Sequence, residues 1–350
     1  MARALPATAT ATVPRRPAFD GVVMTRTPLR ISFAGGGTDL AAFYEREPGA
    51  VFSTAITHYI YVTVKRHSEV FNEPIRLNYS RSEEVHRVDE LRNNIARECM
   101  RFLEIEPPIY ISTVGDLPAS TGVGGSSAFA VGLLNALHVY RGERVSAAQL
   151  AEEASHIEID VLGEPIGKQD QYAAAFGGLN LLRFRSGGRV SVEPQRVSRA
   201  AMDELFDWVV LYWTGHQRDA AGVLTEQKER TVDKLDALTS MRDQAERLHE
   251  EAHSGTLDPV ALGRTLEQGW QLKRQLASTI SNPRIDAWHD RALEAGAIGG
   301  KLSGAGSGGF FLFIVPPERQ EAVRGALSDM LEVRTRHEGH GSQVVLPFMS

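Results

Sequence analysis

The placement of glycine constrains this chain more than any other feature. Of its 32 glycines, many fall in three clusters: Gly35 to Gly37; Gly122, Gly124 and Gly125; and a stretch holding Gly296, Gly299, Gly300, Gly304, Gly306, Gly308 and Gly309. Glycine lets backbone take positive φ and lets N–H groups approach a ligand closely, so a strand, a glycine loop and a helix in series make an anion cradle. One such cluster is a tight turn in its simplest reading. Three in one chain point to a site for a polyanion. The middle cluster leads into the apolar run Phe129 to Tyr140, with Ser126 and Ser127 where a helix would start. Unpaired N–H groups and the positive end of the helix dipole meet there, which suits a triphosphate. A serine hydroxyl in that place can ligate Mg²⁺ or simply cap the helix.

With 38 basic and 44 acidic residues the net charge is −6, which speaks against a chain-wide surface for nucleic acid or anionic membrane. The single cysteine, Cys99, can form neither an intramolecular disulfide nor a thiolate metal site, and a reducing cytoplasm fits best. No run of about 18 apolar residues predicts a membrane span. Residues 1–22 read as a disordered tail, in which Arg15 and Arg16 lack the apolar stretch of an export signal.

Strands are expected at Leu29 to Ala34, Val51 to Ile56, Tyr59 to Lys65, Ile109 to Val114, Leu179 to Phe184, Val190 to Val192, Trp208 to Trp213, Phe310 to Val315 and Gln343 to Phe348. Helical periodicity covers Asp89 to Leu103, Ser127 to Tyr140, Ser146 to Val161, Ala220 to Ala252, Pro259 to Ala277, Pro283 to Ala295 and Glu318 to Leu331. This is an α+β pattern. A boundary is expected near Glu193-Pro194-Gln195, dividing a unit at 23–200 from one at 201–350.

Several known signatures fail. A Walker A loop would need glycine at Ala295 and Ser or Thr at Leu302. Gly304 to Gly309 satisfies G-x-G-x-x-G, but an apolar strand follows it and a helix-like segment precedes it, the reverse of the dinucleotide-binding context. There is no G-x-S-x-G elbow and no H-E-x-x-H spacing.

Taken together, Thr27 to Leu40, Pro118 to Ala128 and Lys301 to Gly309 resemble, in order and spacing, the three motifs of the GHMP small-molecule kinases. The second motif departs from the usual Gly-Leu-Gly-Ser-Ser, reading Gly122-Val123-Gly124-Gly125-Ser126. Within that superfamily, Phe33 to Asp39, Gly163 to Tyr172 and Ile280 to Pro283 resemble the branch of D-glycero-D-manno-heptose 7-phosphate kinases. These use ATP to phosphorylate an anomeric hydroxyl. Fucokinase-like sugar 1-kinases are the neighbouring branch, and a catalytically silent sugar-binding protein is the reading from another class. The resemblance implies a two-layer N-terminal domain with a left-handed β-α-β unit, a ferredoxin-like C-terminal domain, ATP and Mg²⁺ as cofactors, and a monomer or homodimer.

It also implies roles. Asp170 would orient or deprotonate the hydroxyl, Arg30 would stabilise the transferring phosphate, and Lys168 would touch phosphate or lie on the surface. Gly122, Val123, Gly124, Gly125, Ser126 and Ser127 would hold the ATP phosphates, with Mg²⁺ on Ser126 and Glu158, Asp160 being the rival carboxylate. Gly36, Gly37, Thr38, Asp39, Gln171, Ser303, Gly304, Ala305 and Gly306 would meet the sugar, with Lys301 or Ser303 near it. The distal phosphate needs a cation, for which Arg218 ranks ahead of Lys273 and Arg284.

Overall fold

The structure, a computed structural model, describes residues 21–215, 222–223, 225–226 and 231–348. Two long antiparallel strands, β1 (Val22–Ala34) and β2 (Gly49–Arg66), form its spine, bridged by the short helix α1 (Ala41–Tyr44). The sequence pattern predicts two strands where β2 is one. The register slips between Pro28 and Leu29, leaving Thr57 and His58 as a bulge, and Thr57 N–H is satisfied by Arg336 O at 2.9 Å.

The far edge of β2 is shared. Its first half pairs with β6 (Leu179–Arg185), which continues through a tight turn into β7 (Arg189–Pro194). Its second half pairs with β5 (Ile109–Gly115). Beyond β5 lie β3 (Ile75–Asn78) and β4 (Ser82–Val85), too short to stand out in the sequence; β3 runs parallel to β5, and α2 (Asn94–Phe102) lies in the connection. Behind the sheet packs α3 (Gly125–Tyr140), apolar on nearly all sides because it is buried on nearly all sides. Flanking it are α4 (Ala147–Ser155) and α5 (Gln169–Phe176), the second of which had no periodic signal long enough to reveal it.

After α6 (Arg199–Trp208) comes a second sheet built from β8 (Val209–Trp213), β9 (Gly299–Leu302), β10 (Phe310–Ile314) and β11 (Leu331–Val333). Between β8 and β9 run α7 (Leu235–Ala252), α8 (Pro259–Lys273) and α9 (Pro283–Glu294); α10 (Gln320–Ala326) precedes β11. The antiparallel order β11-β8-β10-β9 is fourth, first, third, second along the chain, the ferredoxin-like arrangement. Two expectations change. The helix expected over Glu318 to Leu331 ends at Ala326, because Leu331–Val333 is drawn into pairing with β8. The segment before Gly304 is strand β9, so Gly304 to Gly309 is a hairpin loop and its G-x-G-x-x-G is coincidental. Gly299 and Gly300 are needed there: a Cβ would fall 2.1 Å from Gly263 O and 2.1 Å from Phe313 Cδ1 respectively.

β10 explains its own uniform apolarity. Phe310, Leu312 and Ile314 enter the core shared with the first sheet, while Phe311 and Phe313 enter a second core with Trp270 and Tyr212. The last strand, β12 (Gln343–Phe348), returns to pair with β1, so a cut at residue 200 does not separate the two sheets cleanly. Among the described residues no helix is long and apolar enough to cross a membrane.

One ionic junction ties α3 to α4. Buried His138 places Nδ1 2.7 Å from Glu143 Oε2 and Nε2 2.7 Å from Glu153 Oε2. Burial alone would push the imidazole pKa down, but the hydrogen bonds and charges of the two carboxylates outweigh it and the net shift is upward. A raised folded-state value means the contribution is complete below the unfolded value of about 6.5 and is lost as pH rises through the folded one. His138→Gln should therefore cost about 2 kcal/mol at pH 6 and progressively less in alkaline buffer, read from urea midpoints at each pH.

Candidate active site

Arg30 is the hub of the site. It sits on β1, buried, and its Nε donates to Asp170 Oδ1 at 2.7 Å while Nη2 lies 2.6 Å from the same oxygen. Its Nη1 donates to Gly122 O at 2.7 Å and its backbone N–H to Val123 O at 3.0 Å. One side chain thus fixes the middle glycine loop and the first turn of α5 to the sheet. Gly124, at φ +80°, ends the loop and starts α3; a Cβ there would stand 3.4 Å from Arg30 Cγ and 3.4 Å from Asp170 Cγ.

Glu158 lies one turn beyond α4, in a π-helical turn, His156–Val161, of the kind often found at functional sites. Its carboxylate is buried, accepting from Ser126 Oγ at 2.8 Å and from Gln171 Nε2 at 2.7 Å. Burial raises its pKa to about 7 despite the serine and glutamine hydrogen bonds. Asp160, the rival carboxylate, instead pairs with His156 at 2.9 Å on the exposed side.

Asp39 is also buried. Its Oδ1 accepts from Gly37 N–H at 2.9 Å, and its Oδ2 from Gln169 N–H at 3.3 Å and Gln169 Nε2 at 3.1 Å. Burial, then the charge of Asp170, raises its pKa. Gly167 allows this approach, since a Cβ there would lie 2.0 Å from Asp39 Oδ2.

The third glycine loop closes the site from the second sheet. Phe310 N–H donates to Thr121 O at 3.3 Å, and Gly309, at φ +98°, is pressed so closely on Thr121 O that a Cβ would sit 2.3 Å from it. Lys273, on α8, donates from Nζ to Leu302 O at 2.7 Å and Gly304 O at 2.5 Å. Between these parts lies a cavity of about 360 Å³, with Arg30, Asp170, Glu158 and the start of α3 on one wall and Lys273, Lys301, Gly304 and Ala305 on the other.

Most of the expected residues converge on this cavity: Gly36, Gly37, Asp39, Gly122, Gly124, Gly125, Ser126, Ser127, Glu158, Asp170, Gly304 and Ala305 line it. Others act elsewhere. Lys168 does not line the cavity; its Nζ lies 2.9 Å from Gly188 O and 3.4 Å from Glu152 Oε2. Thr38 is spent on the backbone of Gly35 and Ala50. Gln171 is buried outside the cavity lining and donates from Nε2 to Glu158. Val123 is buried beneath the loop, Gly306 packs on Ile280, and Ser303 is buried within the hairpin, its N–H on Phe310 O. Arg218 lies outside the described residues, and Arg284 stacks its guanidinium 4.5 Å from the ring centroid of Trp288, away from the cavity. The cavity wall also includes Asn94 and Ile95 of α2 and Met241 of α7, none of which carries a motif that could have announced it.

The model of the GHMP kinases N-terminal domain matches residues 91–178, and that of the GHMP kinases C-terminal domain matches residues 245–333. The chain belongs to the GHMP kinases. It is 31% identical to a D-glycero-alpha-D-manno-heptose 7-phosphate kinase of Campylobacter jejuni over 87% of this chain and 93% of that one. It is 26% identical to an L-fucokinase/L-fucose-1-P guanylyltransferase of Bacteroides fragilis over 87% of this chain and 36% of that protein. Among solved structures, a D-glycero-D-manno-heptose 1-phosphate kinase from Bacteroides thetaiotaomicron superposes with a TM-score of 0.76 at 27% identity, covering 93% of this chain and 99% of that one. This GHMP kinase is a sugar kinase, moving a phosphoryl group to a hydroxyl.

The two glycines at the start of α3 make opposite predictions. Gly124→Ala forces a side chain into a left-handed backbone beside the Arg30–Asp170 pair and should cost about 1–2 kcal/mol. Gly125→Ala adds a Cβ that meets nothing within 4 Å inside a helix, and should leave stability unchanged or slightly improved. Thermal melts of the two variants check both.

Proposed function

We propose that this sugar kinase transfers the γ-phosphoryl group of ATP to the anomeric C1 hydroxyl of a heptose 7-phosphate, giving the 1,7-bisphosphate. The observation that carries the reading is the juxtaposition in one cavity of the Asp170 carboxylate, anchored by Arg30, with the N-terminus of α3. The heptose 7-phosphate acceptor is supported by the similarity to the Campylobacter jejuni heptose 7-phosphate kinase, which spans 87% of this chain. A cytoplasmic setting accords with the one buried free thiol, Cys99.

Phosphoryl transfer asks chiefly for positioning and for positive charge around the migrating group. The first-turn N–H groups of α3 and the loop Gly122 to Ser126 offer a cradle to the donor's phosphates. Asp170 accepts the proton of the sugar hydroxyl as its oxygen bonds to the γ-phosphorus. The bond from that phosphorus to the β,γ-bridging oxygen breaks and ADP departs. Arg30 faces the charge that builds on the equatorial oxygens while keeping Asp170 aligned. Asp39, held by Gly37 and Gln169, presents an acceptor suited to vicinal hydroxyls.

Ser126 and Glu158 fit Mg²⁺. They supply two hard oxygen donors 2.8 Å apart, and Glu158 is a buried carboxylate whose charge has no cation of its own among these contacts. Ser126 and Glu158 would hold the ion, which when bound would supply positive charge to offset that of the donor's phosphates.

Purified protein should phosphorylate D-glycero-D-manno-heptose 7-phosphate with a kcat/KM well above that for free fucose. The reverse order would favour the fucokinase-like reading. Asp170→Asn should lower kcat by roughly 10²–10⁴-fold with little change in the KM for ATP; full turnover would remove Asp170 from the mechanism. Glu158→Gln should raise the Mg²⁺ concentration for half-maximal rate at least about tenfold, a second-site loss of the size seen when ligand shells are broken.

A further inference from the structure

One cation in the cavity is buried without an adequate partner. Lys301 lies in β9, whose neighbours Gly300 and Leu302 face the Phe311 and Phe313 side of the sheet, so its side chain emerges on the opposite face, toward β1 and the cavity. It is only 6% exposed. An ammonium carries three donors, yet among the described residues the one hydrogen bond given to Nζ is a long one, 3.4 Å to Phe33 O. The other two cations of the cavity wall are differently placed. Arg30 grips Asp170 and Gly122 O, and Lys273 grips Leu302 O and Gly304 O. The charge that Lys301 feels most is that of Arg30, which has its own sign.

A buried ammonium beside a guanidinium is unfavourable unless an anion joins them. The folded protein relieves the strain by weakening the proton: burial, then the charge of Arg30, brings the pKa of Lys301 down to about 7. The arrangement makes sense as half of an ion pair whose other half arrives with the substrates.

We propose that Lys301 binds a phosphoryl group of one of the two substrates, opposite Arg30, as a further recognition residue of the transfer site. The inference rests on the reading of this cavity as the place where phosphoryl groups meet. The ligand chemistry is a phosphate dianion, brought either by the terminal phosphate of the nucleotide or by the phosphate already on the sugar. A dianion between Arg30 and Lys301 supplies the missing acceptor, draws a proton onto Lys301, and clamps the third glycine loop, which continues directly from it, against β1.

Lys301→Met keeps the length and removes the charge, and Lys301→Gln is the second variant should the first not fold. Calorimetric titrations with AMP-PNP and Mg²⁺, and separately with D-glycero-D-manno-heptose 7-phosphate, in two buffers of different ionisation enthalpy at pH 7.5, read affinity and proton uptake together. Other charged groups share the cavity wall, namely Arg30, Asp39, Glu158, Glu164, Asp170 and Lys273, so the difference between wild type and variant is the quantity that counts.

For one of the two ligands the variant is expected to bind at least tenfold more weakly and to lose a fraction of a proton taken up by the wild type, with the other ligand affected less than threefold. The ligand affected identifies the source of the phosphate. The unliganded variant should also melt no lower than wild type, because the cost of the buried cation is gone; that cost is full below the folded pKa and fades toward the unfolded one, so the advantage should widen as pH falls. Wild-type affinity and proton uptake for both ligands in the variant would overturn the proposal. A wild-type enzyme that binds AMP-PNP but turns over no heptose 7-phosphate would instead overturn the assigned acceptor, leaving the nucleotide arm to test Lys301.

Discussion

The buried guanidinium of Arg30 is the interaction on which the rest of this structure depends. A charge taken out of water must have its donors satisfied, and a guanidinium with five fixed N–H groups is demanding. Here Gly122 O and Asp170 meet that demand, while the neighbouring backbone N–H takes Val123 O. These partners come from the glycine loop and α5, which are far in the chain from β1 and from each other. Satisfying one arginine therefore positions the middle glycine loop and the Asp170 carboxylate together at the cavity. The loop reaches this place through the left-handed backbone of Gly124, at φ +80°, a conformation that favours glycine.

The second sheet completes the site by a different kind of closeness, backbone against backbone. Gly309 rests on Thr121 O, Thr214 Oγ1 accepts from Gly309 N–H at 3.0 Å and donates to its carbonyl at 2.9 Å, and Ser307 N–H reaches Ile280 O at 2.8 Å. The hairpin between β9 and β10 is thus pinned to the glycine loop of the first sheet and to the helices of its own. Because β10 also sends alternate side chains into two cores, the packing that stabilises the molecule is the packing that sets the width of the cavity. The return of β12 to β1 adds a covalent strap across the same junction.

That three glycine clusters meet near one site was legible in their placement, and the resemblance to GHMP kinase motifs pointed to Arg30, Asp170, Ser126 and Glu158, all of which line the cavity. What spacing cannot give is where a side chain points. Lys168 stands two residues from Asp170, yet it precedes α5 and turns toward Gly188, whereas Asp170 enters the first turn of the helix and faces the cavity. Gln171, one residue on, faces inward to Glu158. Thr38 and Asp39 diverge in the same way, one tying a turn and the other reaching the cavity. The π-helical turn that rotates Glu158 inward and leaves Asp160 outside has no compositional mark, and β3, β4 and β11 are held by their neighbours in the sheet rather than by any strong preference of three or four residues.

The electrostatic state of the cavity follows from the same burial. Asp39 and Glu158 are pushed toward their neutral forms and Lys301 toward its own, each chiefly because water has been removed. A site that had paired these charges internally would be more stable alone and would offer nothing to an incoming polyanion or its counter-ion. Left without an opposite charge, these groups carry that cost in the free protein, and a ligand of opposite charge would recover it on binding. A chain with net charge −6 can hold such a site, since the cations involved are gathered around one cavity and need not colour the whole surface.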